Sequence, residues 1–173
     1  MRKILVVVDM QNDFVDGSLG TKEAVGIVEN VVEEIKKYRT EDIFATRDTH
    51  PENYLETQEG KHLPVVHCVK NTNGWEINKE VAAVLKDAKI IDKPTFGSKE
   101  LAEEITKIAE KEEVEVTLVG LCTDICVVSN ALLIKAYLPE ISVKVIASCC
   151  AGVTPESHEA ALTTMKMCQV EVC

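Results

Sequence analysis

The stretch from Lys3 to Val8 constrains this chain more than any other segment. Ile4-Leu5-Val6-Val7-Val8 is an unbroken apolar run closed by Asp9. Such a run fits a strand buried on both faces, and that strand needs helices on either side to cover it. The rest of the sequence supplies them. Lys22 to Arg39 reads as an amphipathic helix with Val25, Val28, Val32 and Ile35 on one face. Glu41 to Thr46 is a short strand, Asn78 to Leu85 a helix, and Ala88 to Ile91 a strand ending at Asp92-Lys93-Pro94. Ser98 to Lys111 is helical with Leu101, Ile105 and Ile108 inward. Val114 to Val119, Asp124 to Ala136, Ser142 to Ala147, Pro155 to Met167 and Gln169 to Val172 continue the alternation. Alternation of this kind predicts an α/β fold with a mostly parallel sheet and helices on both faces. With no internal repeat, low-complexity segment or linker, residues 1–173 read as one domain.

Charge narrows the partners. A formal net charge of −10 argues against nucleic acid and anionic membranes. Met1-Arg2-Lys3 leads straight into the first strand, too short a segment for a secretory leader or a membrane span. The seven cysteines therefore read as reduced thiols in a cytoplasm. No CxxC…CxxC pair offers a structural zinc site.

In open α/β sheets ligands gather at the carboxyl ends of the strands. Asp9, Asp48 with His50, Lys93 and Cys126 all follow strand ends. Cys126 falls in the first turn of the helix from Asp124, where unpaired N–H groups and the macrodipole favour a thiolate and an oxyanion beside it. Asp9 fits a base for that thiol and Lys93 a cation favouring the thiolate. Taken singly, Asp9 fits a loop cap equally well, Lys93 a solvated side chain and Cys126 a packing cysteine.

Asp48 to Trp75 is a long loop for a compact domain, and such loops are often functional. It holds three of the four histidines. Asp48, His50 and His67 could converge on a divalent metal, with Glu59 or His62 as a further ligand. A polar loop with hydrogen-bonded histidines is the bland alternative. Phe14 and Trp75 are aromatic candidates for a pocket wall, and Trp75 fits a core anchor equally well. His158, on the last helix, reads as helix surface.

These pieces together resemble the isochorismatase-like cysteine hydrolase superfamily, and within it the nicotinamidase (pyrazinamidase) branch. The matching segments are Asp9-Met10-Gln11-Asn12-Asp13-Phe14, Asp48-Thr49-His50-Pro51, Pro64-Val65-Val66-His67-Cys68, Lys93-Pro94-Thr95-Phe96 and Gly120-Leu121-Cys122-Thr123-Asp124-Ile125-Cys126-Val127. The resemblance implies a three-layer α/β/α sandwich around a mainly parallel, six-stranded, Rossmann-like sheet. It implies a triad of Asp9, Lys93 and Cys126, and a cis Leu121–Cys122 peptide that aims the Cys122 and Cys126 amides at an oxyanion. It implies one divalent ion (zinc, iron or manganese) on Asp48, His50, His67 and Glu59, with His62 as the alternative fourth ligand. Phe14 and Phe96 would wall the substrate pocket, with Leu63 where relatives often carry Trp. Asn71-Thr72-Asn73-Gly74 replaces their Gly-Thr-x-Gly turn.

The activity implied is hydrolysis of nicotinamide to nicotinate and ammonia through a thioester, with a place in pyridine-nucleotide salvage and NAD biosynthesis if nicotinamide is the substrate. Another small amide, a carbamoyl compound or a vinyl ether, cleaved by a metal-free relative, is the alternative. A non-catalytic thiol sensor would need neither Lys93 nor the metal loop. The helix surfaces do not decide between a monomer and a homo-oligomer.

Overall fold

The computed structural model describes residues 1–173. Six strands form one sheet: β1 (Arg2–Val8), β2 (Ile43–Asp48), β3 (Lys89–Lys93), β4 (Val114–Leu121), β5 (Ser142–Ala151) and β6 (Glu171–Val172). Their order is β3-β2-β1-β4-β5-β6 and every pairing is parallel. The apolar run of β1 lies at the centre, between β2 and β4, and Ile4, Leu5, Val6 and Val8 are fully buried.

Alternate β1 side chains feed two separate cores. Leu5 and Val7 pack with α1 (Asn12–Val15), α2 (Lys22–Ile35) and α4 (Lys79–Leu85). Ile4, Val6 and Val8 pack with α5 (Lys99–Ala109), α6 (Val128–Tyr137) and α7 (Pro155–Met167). The result is the three-layer α/β/α arrangement, and the period-two alternation of a strand produces it.

Several boundaries differ from the sequence reading. The α2 helix stops at Ile35, four residues before Arg39. Its inward face is Ala24, Ile27, Val28, Val31 and Ile35, whereas Val25 is exposed. The Thr21 hydroxyl caps the helix by accepting the Ala24 N–H at 3.0 Å. That cap fixes where the helix begins, and packing against the sheet selects the buried face. The β5 strand runs on from Ala147 to Ala151, with a register shift opposite Leu118–Gly120. The long loop carries a 3₁₀ turn at Tyr54–Glu56 and a short helix, α3 (Gln58–His62), capped by Thr57. Five residues are too few to show a helical period.

Gly120 sits at φ 115°, and a Cβ there would meet the Val8 carbonyl oxygen at 2.1 Å. Only glycine lets the ends of β1 and β4 approach so closely, and that approach brings Asp9 to the start of the cysteine-bearing turn.

Candidate active site

Asp9 leaves β1 with φ 45°, a left-handed conformation that non-glycine residues avoid at a cost of about 1–3 kcal/mol. The backbone is held there by Thr46, whose carbonyl accepts the Asp9 N–H at 3.2 Å and whose hydroxyl donates to Asp9 Oδ1 at 2.6 Å. Lys93 Nζ, at the end of β3, lies 2.7 Å from Asp9 Oδ2. That contact is a short ion pair between two fully buried side chains. Lys93 Nζ also lies 3.4 Å from Cys126 Sγ and 3.1 Å from the Thr95 carbonyl. The three residues expected to act together thus meet at one point, and all three are buried.

The cysteine sits in a π-helical turn, Thr123–Val127, that opens α6. The peptide before it, Leu121–Cys122, is cis. The Cys122 carbonyl accepts the Ile125 and Val127 N–H groups at 3.1 and 3.0 Å, passing over the Cys126 N–H between them. Asn130, fully buried, donates to the Cys126 carbonyl at 2.8 Å and to the Phe96 carbonyl at 3.2 Å, tying the turn to the loop after β3.

One expectation reverses here. Position at a helix start was expected to depress the thiol pKa. Burial, and after it the Asp9 carboxylate, instead push the Cys126 thiol well above its ordinary value, with Lys93 opposing them only in part. Helix-terminus stabilisation does not offset removal from water for a sulfur this deep. Burial likewise raises Asp9 above the usual carboxylate range against the pull of Lys93. For Lys93 burial acts downward, but Asp9, Cys126 and Asp48 outweigh it and the ammonium is held. The resting thiol therefore keeps its proton and the lysine keeps its charge.

A second cluster adjoins the first. One donor atom each from Asp48, His50, Glu59 and His67 lies within 4.8 Å of the others. His50 Nε2 is 2.9 Å from Asp48 Oδ2, and His67 Nε2 is 3.7 Å from both Asp48 Oδ2 and Glu59 Oε1. His67 Nδ1 lies 2.8 Å from the Val65 carbonyl, which fixes the ring with Nε2 turned to the Asp48 and Glu59 carboxylates, the orientation a metal-ligating imidazole needs. Two imidazoles and two carboxylates suit a borderline divalent ion. Burial would lower the His50 pKa, but the Asp48 carboxylate reverses the sign and raises it.

The donor positions trace to nearby features. Gln11 locks the end of β2: its amide donates to the Asp48 and Trp75 carbonyls at 2.8 Å, and its oxygen accepts the Asp48 N–H at 2.7 Å. Glu59 is carried in by α3. Tyr54, fully buried, packs edge-on against both histidines at 4.7 and 4.9 Å and donates its hydroxyl to the Leu63 carbonyl.

His62 does not join the cluster. It is exposed, with Nδ1 2.9 Å from the Gln58 carbonyl of its own helix. Trp75 does not reach the cavity either. It lies in the core with its indole N–H on Thr49 Oγ1 at 2.8 Å and the Arg47 guanidinium 3.5 Å above its ring. Phe14, Leu63 and Phe96 do line the cavity, which encloses about 230 Å³ above Cys126 and beside Asp48, Glu59 and His67. His158 is not idle surface: its Nδ1 lies 2.8 Å from Thr123 Oγ1. Sequence reasoning gave no role to Thr46, Tyr54, Thr123 or Asn130. Each acts through a backbone or hydroxyl contact that has no spacing signature. Gln11 could have been found from its place inside the matching Asp9–Phe14 segment.

Residues 3–173 match the sequence pattern of the Isochorismatase domain. The chain belongs to the isochorismatase family. A pyrazinamidase of Pyrococcus horikoshii, solved with zinc, is 31% identical and superposes with a TM-score of 0.81 over 100% of this chain and 99% of that one. The nicotinamidase of Saccharomyces cerevisiae is 29% identical over 75% of this chain and 80% of its own length. A nicotinamidase/pyrazinamidase structure from Bacillus subtilis, 24% identical, shares the fold with a TM-score of 0.85 over 100% of each chain. As a member of this family with such relatives, the chain is an amidase-type hydrolase. No helix is long and apolar enough to cross a membrane.

Proposed function

We propose that this isochorismatase-family enzyme is a nicotinamidase, converting nicotinamide to nicotinate and ammonia. One observation carries the reading. A single small apolar cavity is lined at once by Cys126 and by Asp48, Glu59 and His67, and no lysine or arginine lines it. With no lysine or arginine in the lining, an anionic substrate finds a countercharge in this cavity only at an ion held by the Asp48, His50, Glu59 and His67 cluster. A neutral one-ring amide needs none, and its basic ring nitrogen suits that ion.

The chemistry follows from the protein groups. The Cys126 thiol hands its proton to Asp9 as sulfur attacks the carboxamide carbon. That order suits a thiol held protonated at rest. The Cys122 and Cys126 amides receive the oxyanion. Asp9 returns the proton to the amide nitrogen, the C–N bond breaks, and ammonia leaves a thioester on sulfur. Asp9 then takes a proton from water as it adds to the thioester. The tetrahedral adduct collapses, the sulfur regains the proton from Asp9, and the acid departs. Lys93 keeps its charge throughout and fixes Asp9 against the sulfur.

The Asp48, His50, Glu59 and His67 cluster fits a divalent ion such as zinc, iron or manganese. When bound, that ion supplies a Lewis-acid contact for the ring nitrogen. Seven unpaired thiols support a reducing, cytoplasmic setting, and a salvage role follows from nicotinamide as the substrate.

The test is ammonia release from nicotinamide, beside Cys126→Ala and with metal measured on the same sample. Turnover that falls by more than about 10³-fold in the variant, with about one ion per chain, supports the reading. Bound metal with turnover only on a different amide moves the substrate and leaves the fold and cluster in place.

A further inference from the structure

Thr123 is fully buried, and its hydroxyl makes a single hydrogen bond, to His158 Nδ1 at 2.8 Å. Thr123 directly follows Cys122 and begins the turn that carries Cys126. His158 comes from a different element, the first turn of α7. The loop leading into α7 makes a second tie to the same turn: the Val153 N–H donates to both Asp124 carboxylate oxygens, at 3.1 and 3.2 Å. Gly152 permits the approach, since a Cβ there would meet the His158 N and Cα atoms at 2.9 and 3.0 Å.

We propose that His158 is a positioning residue for the hydrolytic reaction: its ring anchors Thr123 and thereby holds the Cys122 and Cys126 amides in register with the oxyanion. This rests on the reading of Cys126 as the nucleophile. The physical reason is that a buried hydroxyl with one partner is costly to release, so Thr123 keeps its place only while His158 is present. An oxyanion site tolerates little displacement, because donors must meet charge that exists only in the transition state.

The experiment compares the metal-loaded wild type with His158→Ala, His158→Asn and His158→Gln. Asparagine places an amide where Nδ1 stood, whereas glutamine places it nearer Nε2. Two readouts are taken: kcat and KM for nicotinamide, and hydrogen exchange at the amides of residues 123–127. In His158→Ala, kcat is expected to fall roughly 10- to 100-fold with KM within about threefold, and exchange in the turn to quicken while the sheet stays protected. His158→Asn restores both, and His158→Gln restores neither. Thr123→Val, nearly the same shape, reproduces the loss should the alanine variant fold poorly, and the double variant is no worse than either alone.

Wild-type kcat in His158→Ala overturns the proposal. So does a change confined to KM, or an asparagine variant as impaired as alanine. If the wild type fails on nicotinamide, the substrate reading falls, and the exchange arm still decides whether His158 holds the turn: unchanged exchange in His158→Ala overturns it.

Discussion

Lys93 Nζ lies 3.3 Å from Asp48 Oδ1, while the other oxygen of the same carboxylate faces His50 Nε2 at 2.9 Å. One side chain, Asp48, therefore links the cysteine site to the metal cluster. The negative charge that would hold a cation also helps hold the lysine.

Replacing Lys93 with methionine should separate these roles. It leaves Asp9 and Asp48 buried without their cation, which costs about 3–5 kcal/mol when one partner of a buried pair is removed. Turnover is lost and the metal-free protein melts lower. A divalent ion then finds Asp48 without a competing charge, so zinc raises the melting temperature of Lys93→Met by more than that of the wild type. An equal or smaller zinc shift in the variant contradicts the linkage.

Asp9 raises the pKa of the Cys126 thiol, and Lys93 lowers it. Asp9→Asn removes the first influence and leaves the second. Alkylation of Cys126 by iodoacetamide at pH 8, followed on its own peptide, should quicken, although hydrolysis falls by about 10²- to 10⁴-fold for want of a proton acceptor. Slower alkylation in the variant would mean that Asp9 activates the resting thiol rather than restraining it.

The fourth ligand can be settled by two substitutions. Glu59 faces His50 and His67 at 3.6 and 3.7 Å, whereas His62 is exposed with its Nδ1 against the Gln58 carbonyl. Glu59→Gln should weaken metal binding at least about tenfold, and His62→Ala should leave it within about twofold, by competition with a chromophoric chelator. The reverse order would move the ligand to His62.

The buried thiols set an alkaline limit. Burial pushes Cys150 from 9.0 up to about 12, and burial likewise takes Cys122 to about 12. In the unfolded chain these thiols lose their protons from about pH 9, while the fold still holds them. The native state then binds more protons than the unfolded state, so stability falls as pH rises from 9 towards 12, by about 1.4 kcal/mol per pH unit for each such thiol. The guanidinium midpoint, measured with reductant, should drop between pH 9 and 11, and less steeply for Cys150→Ala. A flat profile would contradict the burial argument.

Much of this was legible in the sequence, for identifiable reasons. The β1 strand and its flanking helices follow from an apolar run and from helical periodicity, both long enough to read. Asp9, Lys93 and Cys126 stand at strand ends, where topology alone brings them to one edge. What escaped depends on contacts across elements. Trp75 fits a pocket wall or a core anchor equally well by sequence, and its indole N–H on Thr49 and its ring under Arg47 decide for the core. The thiol reading considered the helix terminus and not the depth of the sulfur. Tyr54 sits in a segment with no period to announce it, and Thr123 is a buried hydroxyl whose partner lies 35 residues away.

The central claim is that Cys126 attacks the amide carbon. Rapid acid quench of the enzyme with nicotinamide, followed by peptide mass spectrometry, tests it most directly. A nicotinoyl group on Cys126 that forms and disappears at rates consistent with turnover, and is absent from Cys126→Ala, is the expected result. Ammonia release at near-native rate by Cys126→Ala would contradict it.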